Sequence, residues 1–208
     1  MTRIHSVTPI HVGAEELGRR RRRYAALVPA GVDLALHDLP PDAPASLDTD
    51  TDLAASERAV QEALAAAERA GHEQLLPDCV LDPGVPLAGG DPRRHGMLEL
   101  TLRSLVREGH RVGAVTRNPV IGRELARRVH GYGHAGAFVG VVDLDLGFDT
   151  IADGDRWSAA VDAALDGLAA DGATAVVNGC SAVEVRARPQ AGVVVVDPAR
   201  AALQLLGS

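Results

Sequence analysis

Aromatic side chains make up only 2% of this 208-residue chain. That scarcity leaves little to stack on bases, and a net charge of −7 argues further against nucleic acid as a partner. No apolar run approaches the ~20 residues that span a bilayer. The opening Met1-Thr2-Arg3-Ile4-His5 lacks the apolar core of a signal peptide. The cytoplasm is therefore the expected compartment, with no membrane partner. Eight histidines are present, but no His-x-His or His-Glu-x-x-His spacing occurs, and no cysteine pair has zinc spacing, so no metal is expected. Nucleotide-binding glycine loops and the Gly-x-Ser-x-Gly elbow are missing too, and the expected cofactor is none. His5, His37, His72, His110 and His130 fall in strands or turns and read as structural or solvated. The basic run Arg19 to Arg23 reads as a solvated helix face.

What the chain does have is alanine, valine and two cysteines in matching contexts. Gly71 precedes Cys79 by 8 residues, and Gly172 precedes Cys180 by 8. Other features recur in the same order. Thr2 to Thr8 resembles His110 to Thr116, Leu34 to Leu39 resembles Val139 to Leu144, and Leu87 to Pro92 echoes Val193 to Pro198. The unit is a ~100-residue βαβαβ-type segment. Helices are predicted at 52–70 and 156–170, each stopped by a glycine, and at 93–107 and 199–206 after Asp-Pro caps. The Pro- and Asp-rich stretch Asp38 to Asp50 reads as a mobile surface loop.

Continuous Val/Leu strands alternating with helices predict an α/β fold of two pseudo-symmetric lobes. Each lobe is a mostly parallel sheet with helices on both faces. The first lobe is expected to comprise residues 1–93 plus 189–208, the second 94–188. Ligands in such sheets bind beyond the carboxyl ends of strands. Thr8, Thr116, Cys79 and Cys180 all fall at predicted strand ends, so the active site is expected between the lobes. Two thiols on opposite sides of one cleft could take a proton from one face of a carbon and return it to the other. A thiol does this only as a thiolate, whose reference pKa of ~8.5 falls near oriented backbone amides. The plainer readings are a small buried hydrophobe for each cysteine, a regulatory disulfide, and helix caps for the threonines.

The segment Cys79-Val80-Leu81-Asp82-Pro83-Gly84 is similar to the Cys-x-x-Asp-Pro-Gly of hydantoin racemases. Val115-Thr116 and Val177-Asn178-Gly179-Cys180-Ser181 are similar to two further motifs of the aspartate/glutamate/hydantoin racemase superfamily, and Val196-Asp197-Pro198 matches its C-terminal return. The chain thus resembles that superfamily over nearly its whole length. The resemblance implies a cofactor-independent two-base mechanism with Cys79 and Cys180 as acid/base thiols. It also implies a final helix packed back on the first lobe, and an enediolate-like intermediate held by Thr116 and by the amides after each cysteine. Substrate contacts are expected from Thr8, Pro9, Ile10, Val80, Thr116, Arg117, Asn118, Gly179 and Ser181. Where the family commonly has Asn-Pro-Asn-Thr, this chain has Thr8-Pro9-Ile10-His11, and Arg117 replaces a second threonine. A narrowed substrate range follows, with Arg117, or else Arg93 or Arg94, meeting an anionic group.

These features predict a racemase, epimerase or isomerase acting at a carbon α to a carbonyl of a small carboxylate- or imide-bearing molecule. The chain is expected to be a homo-oligomer. Two alternatives stay open: a decarboxylase, double-bond isomerase or cyclase of the same fold, and a non-enzymatic small-molecule binding protein with a Cys79–Cys180 redox pair.

Overall fold

A computed structural model describes residues 2–87, 91–185 and 192–207. In chain order the elements are β1 (Thr2–Val7), α1 (Gly13–Leu27), β2 (Val32–His37), α2 (Asp50–Arg69), β3 (Leu75–Pro77), α3 (Met97–Arg107), β4 (Val112–Thr116), α4 (Pro119–Gly131), β5 (Phe138–Asp143), α5 (Gly154–Ala170), β6 (Ala175–Asn178), β7 (Val194–Val196) and α6 (Pro198–Leu206). Short 3₁₀ turns occupy Ala135–Ala137 and Phe148–Ala152. The strands form two sheets, β2-β1-β3 and β5-β4-β6-β7, with every pairing parallel. The expected α/β class of parallel sheets flanked by helices is what the chain adopts.

The chain divides into two compact units, Met1–Leu100 with Ala199–Ser208, and Thr101–Pro198. In the first, Ile4, Leu36 and Leu76 point from the sheet into a core shared with Tyr24 and Leu27 of α1, Met97 and Leu100 of α3, and Ala199, Ala202 and Leu203 of α6. Val7 and Leu75 bury against Val60, Leu64 and Ala67 of α2. In the second unit, Val115 and Val176 pack on Trp157, Val161, Leu165 and Leu168 of α5. β4 and β6 are buried along their whole length and have no polar side to keep, so they read as small and apolar, whereas β2 alternates, with Asp33, Ala35 and His37 on an exposed side.

Helix boundaries follow local chemistry at several ends. Thr49 and Asp52 form a reciprocal capping box that starts α2. Gly71 and Gly172 stop α2 and α5 with φ of +89° and +92°. That left-handed conformation suits glycine and lets the amide that follows reach back to a carbonyl five residues earlier, His72 to Ala67 and Ala173 to Leu168.

Three expectations are corrected. Helix α3 begins at Met97, not at Arg93. Instead, Arg93 to His95 run beside β3, the Leu75 amide donating to the Arg93 carbonyl at 2.8 Å and the His95 amide to the Leu75 carbonyl at 2.8 Å. Extended pairing excludes a helix there, so Asp91-Pro92 is not a cap, whereas Asp197-Pro198 does open α6. The echo drawn at Leu87 to Pro92 includes 88–90, which lie outside the described residues. The stretch 38–50 packs against its unit. Leu39 and Leu47 are buried, and the His11 amide donates to the Pro44 carbonyl at 2.8 Å. Finally, Arg20 in the basic run is only 3% exposed.

His5 of β1 stacks on His37 with ring centroids 4.4 Å apart, and its centroid is 4.6 Å from that of His72. Its Nδ1 is buried with no hydrogen-bond partner. Burial first, then the neighbouring His37 and His72, lowers its pKa from 6.5 to about 4. Burial, Arg21 and His72 also lower that of His37. The unfolded chain therefore takes up a proton before the folded one does. This contribution to stability is full above pH ~6.5 and is lost as pH falls toward 4. His5→Phe keeps a ring in the stack and removes the proton, so the slope of stability between pH 7 and 5 should flatten. Urea unfolding at several pH values in that window checks this, and parallel slopes for the two proteins would refute it.

Candidate active site

In the first unit, β1 runs into Thr8, whose side chain is fully buried. Its hydroxyl lies 2.9 Å from Asp38 Oδ1 and 2.7 Å from the Ile10 carbonyl, and it accepts the Leu39 amide at 3.2 Å. The Thr8 amide donates to the His37 carbonyl at 2.9 Å. Asp38 in turn accepts the amides of Val12 and Gly13 at 3.0 and 2.8 Å, which gives α1 its anionic cap. Pro9 offers its carbonyl to the Ser56 hydroxyl at 2.6 Å, and Ile10 is buried.

The second unit repeats this arrangement. Thr116 ends β4, fully buried, with its hydroxyl 2.7 Å from Asp143 Oδ1. Asn118 caps α4 by accepting the Ile121 amide at 2.9 Å, with Pro119 at the first helical position. Arg117 is 5% exposed. Its guanidinium carbon lies 5.7 Å from the Phe148 ring centroid, a cation–π distance.

The two cysteines follow equivalent strands. In the first unit the Asp78 amide donates to the Val7 carbonyl at 2.8 Å, and in the second the Gly179 amide donates to the Val115 carbonyl at 2.8 Å. Both cysteines are thiols, Cys79 buried and Cys180 half-buried. The Leu81 amide lies 3.4 Å from Cys79 Sγ, aimed at the sulfur. Val80 is buried beside it. Asp82 has φ +49° and reaches the N-terminus of α3, accepting the Leu98 and Glu99 amides at 3.0 Å each. The Cys-x-x-Asp-Pro-Gly segment thus ties the thiol loop to a helix end. In the second unit Asn178 does the tying. Its Nδ2 donates to the carbonyls of Cys180 and Val183 at 2.9 and 3.0 Å, and its Oδ1 accepts the Trp157 indole N–H at 3.0 Å. Ser181 is buried in the same turn, and Gly179 admits no Cβ because one would overlap the Val115 carbonyl.

Arg93 and Arg94 have acidic partners within the first unit. Arg93 pairs with Asp91 at 2.7 Å, and its hydrogen bonds hold the Asp91 carboxyl at about 2. Arg94 grips Glu68 at 2.6 Å and the Gly84 carbonyl at 2.9 Å, and its hydrogen bond lowers the Glu68 carboxyl. His95 Nε2 lies 2.6 Å from Gln74 Oε1.

A further duplication went unread in the sequence: Glu16-Leu17-Gly18-Arg19-Arg20 on α1 and Glu124-Leu125-Ala126-Arg127-Arg128 on α4. In both, the second arginine is buried and its Nε bonds the glutamate, at 2.8 Å for Arg20 and 3.0 Å for Arg128. Burial raises the Glu16 and Glu124 carboxyls, but hydrogen bonds from both arginines outweigh it and hold each below its ordinary value. Arg20 also donates to Asp78 Oδ2 at 2.9 Å, and the Tyr24 hydroxyl donates to Asp78 Oδ1 at 2.6 Å.

Residues 19–206 match the Asp/Glu/hydantoin racemase family model. No curated protein matches the chain in sequence. Among solved structures, the allantoin racemase of Klebsiella pneumoniae is 20% identical with a TM-score of 0.76, over 99% of this chain and 86% of that one. The allantoin racemase of Pseudomonas fluorescens is 16% identical with a TM-score of 0.75, over 99% and 89%. A variant of arylmalonate decarboxylase is 15% identical with a TM-score of 0.65, over 100% and 93%. At these identities the structures speak to fold. The family match spans most of the sequence, and the chain belongs to the Asp/Glu/hydantoin racemase family.

Proposed function

We propose that this chain is a cofactor-independent racemase or epimerase in which Cys79 and Cys180 are the paired acid/base thiols. They would act at a carbon α to a carbonyl of a small carboxylate- or imide-bearing substrate. One thiolate removes the α-hydrogen as a proton and leaves an enolate. The other thiol gives its proton to the opposite face, so the product has the same atoms with inverted configuration. The observation that carries this reading is the equivalence of the two cysteines. Each follows a strand whose next amide bonds the carbonyl just before the strand-end threonine of the neighbouring strand, Val7 before Thr8 and Val115 before Thr116. The Leu81 amide aimed at Cys79 Sγ supports a thiolate there. Amides after each cysteine are assigned to the enolate oxygen. The Thr8 and Thr116 hydroxyls, engaged with Asp38 and Asp143, shape the strand ends.

The two allantoin racemases with this fold favour a cyclic imide, and the buried Ile10 in place of an amide side chain favours apolar substituents. Enantiopure allantoin, 5-substituted hydantoins of increasing bulk, aspartate and glutamate incubated in heavy water test the reading. Optical rotation should decay with deuterium at the α-carbon for a bulky cyclic imide, and only weakly for the free amino acids and simple hydantoins. Carbon dioxide release from malonate-type substrates without racemisation of any compound would replace it with decarboxylation.

Arg117 is the proposed partner of the substrate's anionic group, since a guanidinium presents a planar fork to a carboxylate or imidate. Stacking near Phe148 limits its motion. Arg117→Ala should weaken substrate capture by about 2–5 kcal/mol, and Arg117→Lys should recover part of that. Steady-state kinetics on the substrate identified above reads the effect. Unchanged kcat/KM in Arg117→Ala would return Arg117 to a packing role.

A further inference from the structure

Asp82 sits where two turns share a residue. Its amide donates to the Cys79 carbonyl at 3.1 Å and closes the first turn, and the Val85 amide donates to the Asp82 carbonyl at 3.1 Å and closes the second. The Leu81 amide, 3.4 Å from Cys79 Sγ, belongs to the first turn. At the shared residue the backbone is left-handed, with φ +49°. A residue with a Cβ resists that conformation unless its surroundings hold it there, although aspartate tolerates it better than most. Here the side chain supplies the hold. Asp82 is 0% exposed, and its two oxygens accept the Leu98 and Glu99 amides at 3.0 Å each. Those are first-turn amides of α3, which no helix satisfies from within.

The far side of this contact has room for a carboxylate and nothing more. A Cβ at Gly96 would overlap Asp82 Oδ2. The φ of Gly96 lies outside the left-handed region, so space and not backbone freedom calls for glycine there. Gly96 follows directly on Arg93 to His95, which pair with Leu75 of β3. The same strand leads into Cys79. The turn and the helix end that grips it therefore start from one fixed strand pairing. We propose that Asp82, with the room left by Gly96, is a positioning residue for Cys79: by clamping the left-handed turn to α3 it keeps the Leu81 amide on the sulfur and so favours the thiolate. This role presupposes the reading of Cys79 as an acid/base, and it adds what sets that thiol for the task. The turn of the second unit is tied differently, through Asn178, so Cys180 serves as an internal control.

Alkylation by iodoacetamide across pH on the substrate-free protein, with each cysteine peptide quantified by mass spectrometry, provides the test. Asp82→Gly still permits the left-handed turn and deletes the clamp. Its Cys79 midpoint should rise by about one pH unit relative to the wild-type Cys79, the scale of a hydrogen bond to the charged form, while Cys180 stays in place. Asp82→Asn keeps the shape and one acceptor but turns an N–H toward the other amide. It should raise the Cys79 midpoint by less, and it covers the case in which the glycine variant does not fold. Gly96→Ala displaces the carboxylate without altering it and should also raise the midpoint. Added to Asp82→Gly, it should raise it no further, because no carboxylate is left to displace. Mere loosening of the loop would speed Cys79 alkylation at every pH with the midpoint unmoved, and that result overturns the proposal. So does an equal shift at both cysteines in Asp82→Asn or Gly96→Ala, or a Gly96→Ala shift that persists in full on the Asp82→Gly background. The heavy-water assay decides the acid/base reading separately, because alkylation needs no turnover.

Discussion

Cys79→Ser and Cys180→Ser should each lower racemisation by about 10²–10⁴-fold, the range that a positioned acid or base supplies. The losses should differ in kind. If each thiol serves one face, the Cys79 variant still removes and returns the α-hydrogen of the enantiomer facing Cys180, and the reverse holds for the Cys180 variant. Each enantiomer incubated alone in heavy water would then gain deuterium with retained configuration in one variant and not in the other. Rotation decay cannot show this, since an interconversion with an equilibrium constant of one has equal kcat/KM in both directions. The α-deuterium content of recovered substrate can. A variant that racemises at the wild-type rate, or one that exchanges both enantiomers alike, would end the assignment of one thiol to each face.

The second large effect is expected at Asn178, which no substrate need touch. Its amide joins the Trp157 indole to the carbonyls of Cys180 and Val183. Asn178→Ala would leave one buried N–H and two carbonyls to find new partners, at about 1–3 kcal/mol for each left unsatisfied. A loss of about 3–5 kcal/mol in urea unfolding follows, and the Cys180 turn would lose its tether. Trp157→Phe vacates the Oδ1 partner and also leaves a cavity where the indole packs in the core. The double variant should cost less than the two single losses added together, as coupled groups do. Additive losses would mean that the Trp157–Asn178 hydrogen bond couples the two side chains no further than their separate packing.

Much of the architecture is legible in the chain. The paired glycines before the cysteines, the recurring Val-rich strands and the Asp197-Pro198 helix start are all local signals, and each is realised by local geometry. The site's supports are not local. Asp38 meets Thr8 across 30 residues, Asp143 meets Thr116 across 27, and Arg20 meets Asp78 across 58. Nothing in the flanking residues announces these pairs, although the Glu-Leu-x-Arg-Arg repeat was available as a sign that two arginines on matching helices share a role. Asp91-Pro92 shows the opposite failure. Its local helix signal is sound, but pairing with β3 claims the backbone of Arg93 to His95. Arg20 belongs to both classes: a run of five arginines looks solvated by composition, and only the turn of α1 points the second of them inward.

The use of α6 to close the first core has a consequence for how the protein is made. Ala199, Ala202 and Leu203 share a core with Ile4 and Leu36, yet the ribosome reaches them only after the whole second unit. At about 5–20 residues per second, the intervening ~100 residues take roughly 5–20 s to translate. During that interval the nascent first unit carries an uncovered apolar face around Tyr24, Leu27 and Leu76. A chain released before α6 would keep that face exposed, which makes such fragments clients for chaperones and proteases and not half-enzymes.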